Sequence, residues 1–183
     1  MLLSFTMRSM ADPFTITDQS GQVGYEVTTV PDIAERLALR QAGGGPALAA
    51  VVRDPGTGGF QVNVGAERAA LVRSRGLIRK QYLIECAGAA LSVGGSVPGG
   101  SYQIFRDAEI GQAASIEVRR EAARVGWTSG FQVLISVAEG EDPVLSIGLV
   151  LGLEYLCDDR RAAVGELGSA RRVIGGIGGT ATR

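Results

Sequence analysis

The chain has no histidine in its 183 residues. That absence excludes Ser-His-Asp and Cys-His catalysis, imidazole-ligated metal and imidazole pH switching together. Cysteine is scarce too, with only Cys86 and Cys157 present. Two thiols without neighbouring metal ligands cannot build a structural zinc site. They read either as small buried apolar residues, the usual fate of free cysteine, or as a single disulfide. Of the 18 basic residues only Lys80 is lysine, a bias that genome composition explains as readily as function. Excess charge of either sign is lacking, with a net charge of −1 and a pI near 5.6. The footprint of a nucleic-acid binder is therefore missing, and no nucleic-acid partner is expected. Also missing is any apolar run of the roughly 20 residues needed to span a bilayer. The opening stretch, MLLSFTMRSMADP, has neither a leading basic region nor a continuous apolar core, so it does not read as a secretory signal. The expected location is cytoplasmic, with peripheral membrane contact as an extension, and translation could start at Met1, Met7 or Met10.

What is present is ordinary globular material, 45% hydrophobic and 20% charged, which argues against wholesale disorder. Its most informative stretch is Pro143–Cys157, PVLSIGLVLGLEYLC, apolar on nearly every face. As a helix these residues reach about 22 Å at 1.5 Å per residue. A helix apolar all round but too short to span a membrane is normally buried on all sides by protein. Asp142 stands where an N-cap belongs and Pro143 at the first helical position. Gly148 and Gly152 lie four apart on one face. In a membrane that spacing would pair helices; inside a barrel it would let strand side chains approach the helix axis. Glu154 requires a partner or an exposed position.

Before that run, short alternating segments recur roughly every 8–15 residues. Phe14–Thr17 and Val23–Thr29 flank a Ser-Gly turn, and Ala47–Arg53 and Phe60–Val64 flank Asp54–Gly59, giving two hairpins. Further strands are expected at Arg36–Arg40, Ala69–Arg73, Tyr82–Cys86, Tyr102–Arg106, Ala113–Arg119 and Phe131–Val137. Residues Pro31–Leu39 also suit a helical turn, and Gly88–Gly100, with its glycines and Pro98, reads as a loop or hairpin region. There is an internal echo: Ala49–Val64 and Ala113–Val137 each carry a small-residue strand, an arginine, a charged turn and then Gly-Phe-Gln-Val. The two tetrads start at Gly59 and Gly130. Duplication of a strand meander accounts for the shared order better than coincidence does. Two copies would let a sheet close, which removes exposed edges.

These residues predict a mainly β protein, with about ten strand candidates, as expected for an all-β sandwich or barrel, and an apolar helix at 143–157 that suggests a sheet closed around it. The expected organisation is a weakly ordered 1–11, a barrel over 12–161, and a flexible glycine- and arginine-containing tail over 162–183.

The order of motifs resembles the tubby C-terminal-like superfamily, nearest its LURP-one-related branch, with phospholipid scramblases more distant. The residues that carry the resemblance are Ile16-Thr17-Asp18-Gln19-Ser20-Gly21, Tyr25-Glu26-Val27, Tyr102-Gln103-Ile104, and Val137 to Asp142 leading into the helix. It covers roughly residues 12–160. The resemblance implies a closed antiparallel barrel of about twelve strands wrapped around a central hydrophobic C-terminal helix, and, from tubby-like domains, phosphoinositide binding. The scramblase pattern is not followed. The chain lacks a proline-rich N-terminal region, a cysteine cluster and an acidic 12-residue calcium loop, since Glu139, Glu141 and Asp142 are too few and too close.

The main polar cluster is Arg73, Arg75, Arg79 and Lys80, in VRSRGLIRKQ. Four cations in eight residues around Gly76 suit a strand-turn-strand that presents them together. Guanidinium pairs phosphate oxygens in bidentate fashion, so the group suits an anionic headgroup; the alternative is a solvated surface balanced by nearby acids. Leu77 and Ile78 within it suit a membrane interface. A second cluster, Arg119, Arg120 and Arg124 alternating with Glu117 and Glu121, reads as a salt-bridged, solvated turn. Trp127 either anchors a hairpin to the core or lies at an interface. No catalytic set emerges, and the glycine-rich stretches lack the Gly-Lys-Ser/Thr ending of a phosphate loop. The expectation is a non-enzymatic domain without metal or cofactor that binds anionic phospholipid, or alternatively a protein-interaction module with its own protein partner.

Overall fold

The structure, a computed structural model, describes residues 1–7, 12–30, 36–75, 81–86, 89–106, 114–125 and 128–157. Twelve strands close into one antiparallel barrel. They are β1 (Leu2–Met7), β2 (Phe14–Asp18), β3 (Val23–Thr29), β4 (Arg36–Gln41), β5 (Ala47–Asp54), β6 (Gly59–Val64), β7 (Glu67–Arg75), β8 (Gln81–Cys86), β9 (Ala89–Ser96), β10 (Ser101–Arg106), β11 (Ile116–Val125) and β12 (Thr128–Val137). From β2 to β12 each strand pairs with the next in sequence, and β1 fills the gap between β2 and β12. The even number lets every pair be antiparallel, and closure leaves no unpaired edge.

Strand alternation decides what points inward. Val51 on β5, Val62 on β6, Val72 on β7 and Ile84 on β8 are buried, with polar or half-exposed residues between them. The space they enclose is filled by α1, helical over 143–157. Ile147, Leu149, Val150, Leu151 and Leu153 of α1 are buried, each contributing about 1.5–3 kcal/mol by leaving water. Asp142 caps the helix start: its Oδ1 accepts the Val144 N–H at 2.8 Å, satisfying a donor that the first turn leaves orphaned. The helix glycines act as the sequence suggests. A Cβ on Gly148 would stand 2.5 Å from Val62 Cγ1, and one on Gly152 would stand 3.4 Å from Val72 Cγ2. Among the described residues no helix is long and apolar enough to cross a membrane.

Two expectations are corrected and one is narrowed. The start of the chain is part of the barrel: Leu2–Met7 pairs with β12 over six positions and with β2 over three. Its inward residues Leu3, Phe5 and Met7 are buried, which is why this stretch is ordered rather than frayed. Within Gly88–Gly100 the hairpin alternative holds: Ala89–Ser96 forms β9, which pairs with β10 across a turn at 97–100 and with β8 on its other side, despite its small residues. The charged stretch around Arg119 and Arg120 is not a turn; β11 continues through it, paired to β12 over ten positions. Arg36–Gln41 is a strand, and residues 31–35 lie outside those described. The Gly-Phe-Gln-Val tetrads fall on β6 and β12, six places apart in the ring of twelve and so on opposite walls. Cys86 and Cys157 are both free thiols.

Candidate functional site

Because the strands alternate in direction, the connections fall on two rims. The proximal rim holds the start of α1. The distal rim holds residue 157 together with the turns β5–β6 and β9–β10, the end of β7 at Arg75 and the start of β8 at Gln81. Arg73 and Arg75 stand at the distal end of β7. Two residues apart, they share the outer face, since Val72, the neighbour before Arg73, points inward at 0% exposure. Both line a surface concavity of ≈ 380 Å³ with Thr57, Ser74 and Leu83. The concavity is shaped by the tight β5–β6 turn, where Asp54 Oδ2 accepts the Thr57 N–H at 3.2 Å and Gly58 takes φ 66. That hydrogen bonding, led by the Thr57 hydroxyl, lowers the Asp54 pKa.

The concavity is not purely cationic. Arg73 donates to Glu85 on the adjoining strand β8 in an exposed ion pair, while its Nε is buried without a hydrogen-bond partner. Of the four cations expected to act together, the structure brings Arg73 and Arg75 to one concavity. Arg79 and Lys80 lie outside the described residues, as do Trp127 and the tail over 162–183. The two guanidiniums bring hydrogen-bond donors suited to an oxyanion, while the Thr57 hydroxyl beside them is already donated to Asp54 Oδ2. A second, smaller hollow of ≈ 240 Å³ sits on the outer wall beside Gln103, Glu117 and Arg119. There Gln103 Nε2 donates to Glu117 Oε1 at 2.8 Å.

Sequence reasoning missed a second cluster inside the distal mouth. Arg120, expected in a solvated turn, points inward from β11. Its side chain is 4% exposed and its Nη1 lies 2.6 Å from Glu154 Oε2 on α1, whose side chain is 0% exposed. Arg120 Nη2 also donates to the carbonyls of Val97 at 3.2 Å and Pro98 at 2.7 Å in the β9–β10 turn. Tyr102 Oη donates to Glu154 Oε1 at 3.1 Å. Burial, and then the Glu154 charge, push the Tyr102 phenol well above its usual range, so it stays protonated as a donor. Close by, the Tyr82 hydroxyl and the Cys157 thiol lie 3.7 Å apart. The signal for Arg120 was present in the sequence: Ile116 and Val118 face inward, and period two carries the next inward position to 120.

Pseudo-symmetry extends to these arginines. Arg53 lies over the Phe60 ring at 5.7 Å and Arg120 over the Phe131 ring at 5.5 Å, so each tetrad phenylalanine carries a guanidinium. At the proximal rim, Arg106 chelates Glu141 through Nε at 3.2 Å and Nη2 at 2.7 Å. Among the described residues there is no group of three or more acidic or thiol side chains placed to hold a metal ion.

A twelve-stranded antiparallel barrel threaded by a C-terminal helix is the class of protein that this geometry defines. No family model matches the chain, and no curated relative matches it. Among solved structures, the chain is similar to the X-ray structure of a protein from Arabidopsis thaliana. The two are 16% identical with a TM-score of 0.56, over 87% of this chain and 91% of that one. The likeness shows a related fold.

Proposed function

We propose that this is a non-enzymatic domain of the LURP-one-related, tubby-like kind that binds anionic phospholipid headgroups at a membrane surface. The observation that carries this reading is the convergence of Arg73 and Arg75 with Thr57 and Ser74 on one distal concavity. The sequence of the β7–β8 connection adds Arg79 and Lys80 beside Leu77 and Ile78, a mixture of cations and apolar residues that suits an interface. Fold likeness to the Arabidopsis protein and the motif order support the family reading. Such a domain would work in the cytoplasm and dock peripherally.

Sedimentation with vesicles tests it. The parent protein should pellet with phosphatidylcholine vesicles containing anionic lipid and remain in solution with pure phosphatidylcholine. The R75Q/R79Q/K80Q variant removes three cations, each worth about 1 kcal/mol near an anionic surface, so binding should weaken about 100-fold. Absence of binding by the parent, or equal binding by the variant, overturns the proposal and leaves a protein-interaction module as the reading to pursue.

A further inference from the structure

The geometry points to Arg120, Glu154 and Tyr102 as a lock that fixes the rotation and depth of α1 inside the barrel. The lock contributes uniqueness of seating rather than stability. Every other described residue from Ile147 to Leu156, apart from the glycines and Tyr155, is a buried apolar side chain. An apolar rod in an apolar tube exchanges like for like when it turns or slides. A polar group tied to one wall does not.

The helix meets the barrel on two opposed faces. Gly148 and Gly152 face β6 and β7, where Val62, Phe60 and Val72 press closest. At about 100° per residue, Glu154 projects from the far side, towards β10 and β11. There its two oxygens are held separately, Oε1 by Tyr102 and Oε2 by Arg120. Arg120 in turn grips the β9–β10 turn through the Val97 and Pro98 carbonyls. Strands β10 and β11 and helix α1 therefore meet at one carboxylate, and Arg120 ties the β9–β10 turn to them. A one-turn slip that brought Val150 to the Glu154 seat would leave the Arg120 guanidinium buried without its counter-ion, a strongly penalised state. A buried ion pair is weak evidence for stability, because desolvation offsets its attraction, whereas a single buried polar residue setting register is a known use. Since α1 ends its described span at the distal rim, the lock also fixes where Cys157 stands relative to Arg73 and Arg75.

The test replaces the whole cluster, so that no partner is left unpaired. The Y102F/R120M/E154L variant should fold with an unfolding midpoint no lower than the parent's. Its methyl NMR spectrum should show Leu149, Leu151, Leu153 and Leu156 as several sets or as broadened resonances, where the parent shows one sharp set. E154Q, whose single amide oxygen can accept from Arg120 while its amide N–H donates to the Tyr102 hydroxyl, should retain one set with a lowered midpoint. One sharp, parent-like set in the triple variant would mean that the glycine face alone seats the helix, and would overturn the proposal. So would failure of the triple variant to fold, because the cluster would then supply stability rather than seating.

Discussion

Arg120 on β11 and Glu154 on α1 meet at 2.6 Å inside the distal mouth of the barrel, 34 positions apart in the chain. Removing one partner alone strands a buried charge. R120M should therefore cost about 3–5 kcal/mol, read from urea unfolding at unchanged m-value. Y102F removes one hydrogen bond to the same carboxylate and should cost less, about 1.5–3 kcal/mol. An R120M protein as stable as the parent would show that Glu154 is not held as described.

The two helix glycines should respond oppositely to alanine. At Gly148 the new Cβ meets Val62 at 2.5 Å, so G148A should lose about 1–3 kcal/mol through overpacking. At Gly152 the nearest atom is 3.4 Å away, an ordinary contact. There the gain in helix propensity, up to about 1 kcal/mol, should leave G152A equal to the parent or more stable. Equilibrium denaturation of both variants decides it.

Deleting residues 1–6 should unfold or aggregate the protein. The deletion removes Leu3 and Phe5 from the core and exposes β2 and β12 as bare edges, a template for association between chains. Size-exclusion chromatography and circular dichroism of the chain starting at Met7 report the outcome. A monomeric, fully folded product would show that β1 is dispensable.

Acid should weaken the proximal rim. Hydrogen bonding from Arg106 lowers the Glu141 pKa below its ordinary value. A carboxyl whose folded pKa is depressed contributes stability above its unfolded value, about 4.3, and that contribution is lost as pH falls through the folded value. E141Q should therefore be less stable than the parent at neutral pH, with the difference shrinking in acid. A difference constant from pH 7 to pH 3 would rule out this linkage.

Much of the architecture is legible in the sequence because it rests on periodicity. Alternation marks the β5–β6 hairpin, and an apolar segment too short for a bilayer marks the axial helix, down to its Asp142 cap. Two strands escape because local composition misleads. In β9 the run of alanine, serine and glycine imitates a loop, and only the ladders to β8 and β10 make it a strand. In β1, Leu3, Phe5 and Met7 do alternate with Ser4 and Thr6, but so short a run at a chain end carries little weight until β12, far along the sequence, is there to pair it. Arg120 escapes for another reason: a run rich in charge suggests solvent, and only its phase with Ile116 and Val118 places it inside. For the concavity at Arg73 and Arg75 the sequence supplies the cations, while Thr57 and Leu83 come from neighbouring hairpins that only the closed sheet brings together.

The pairing of Leu2–Met7 with residues 131–136 of β12 has a consequence for biosynthesis. The first strand waits for the last. A ribosome must release more than a hundred residues before the seam can close, and α1 follows the seam in translation order. The axle thus arrives after the wheel has been nearly assembled, and the cavity must accept it before or during closure. Such dominance by distant partners slows folding and prolongs the exposure of inward-facing apolar strand surface. The nascent chain is then a natural client for holdase chaperones, and its yield should depend on them more steeply than that of a helical protein of equal length.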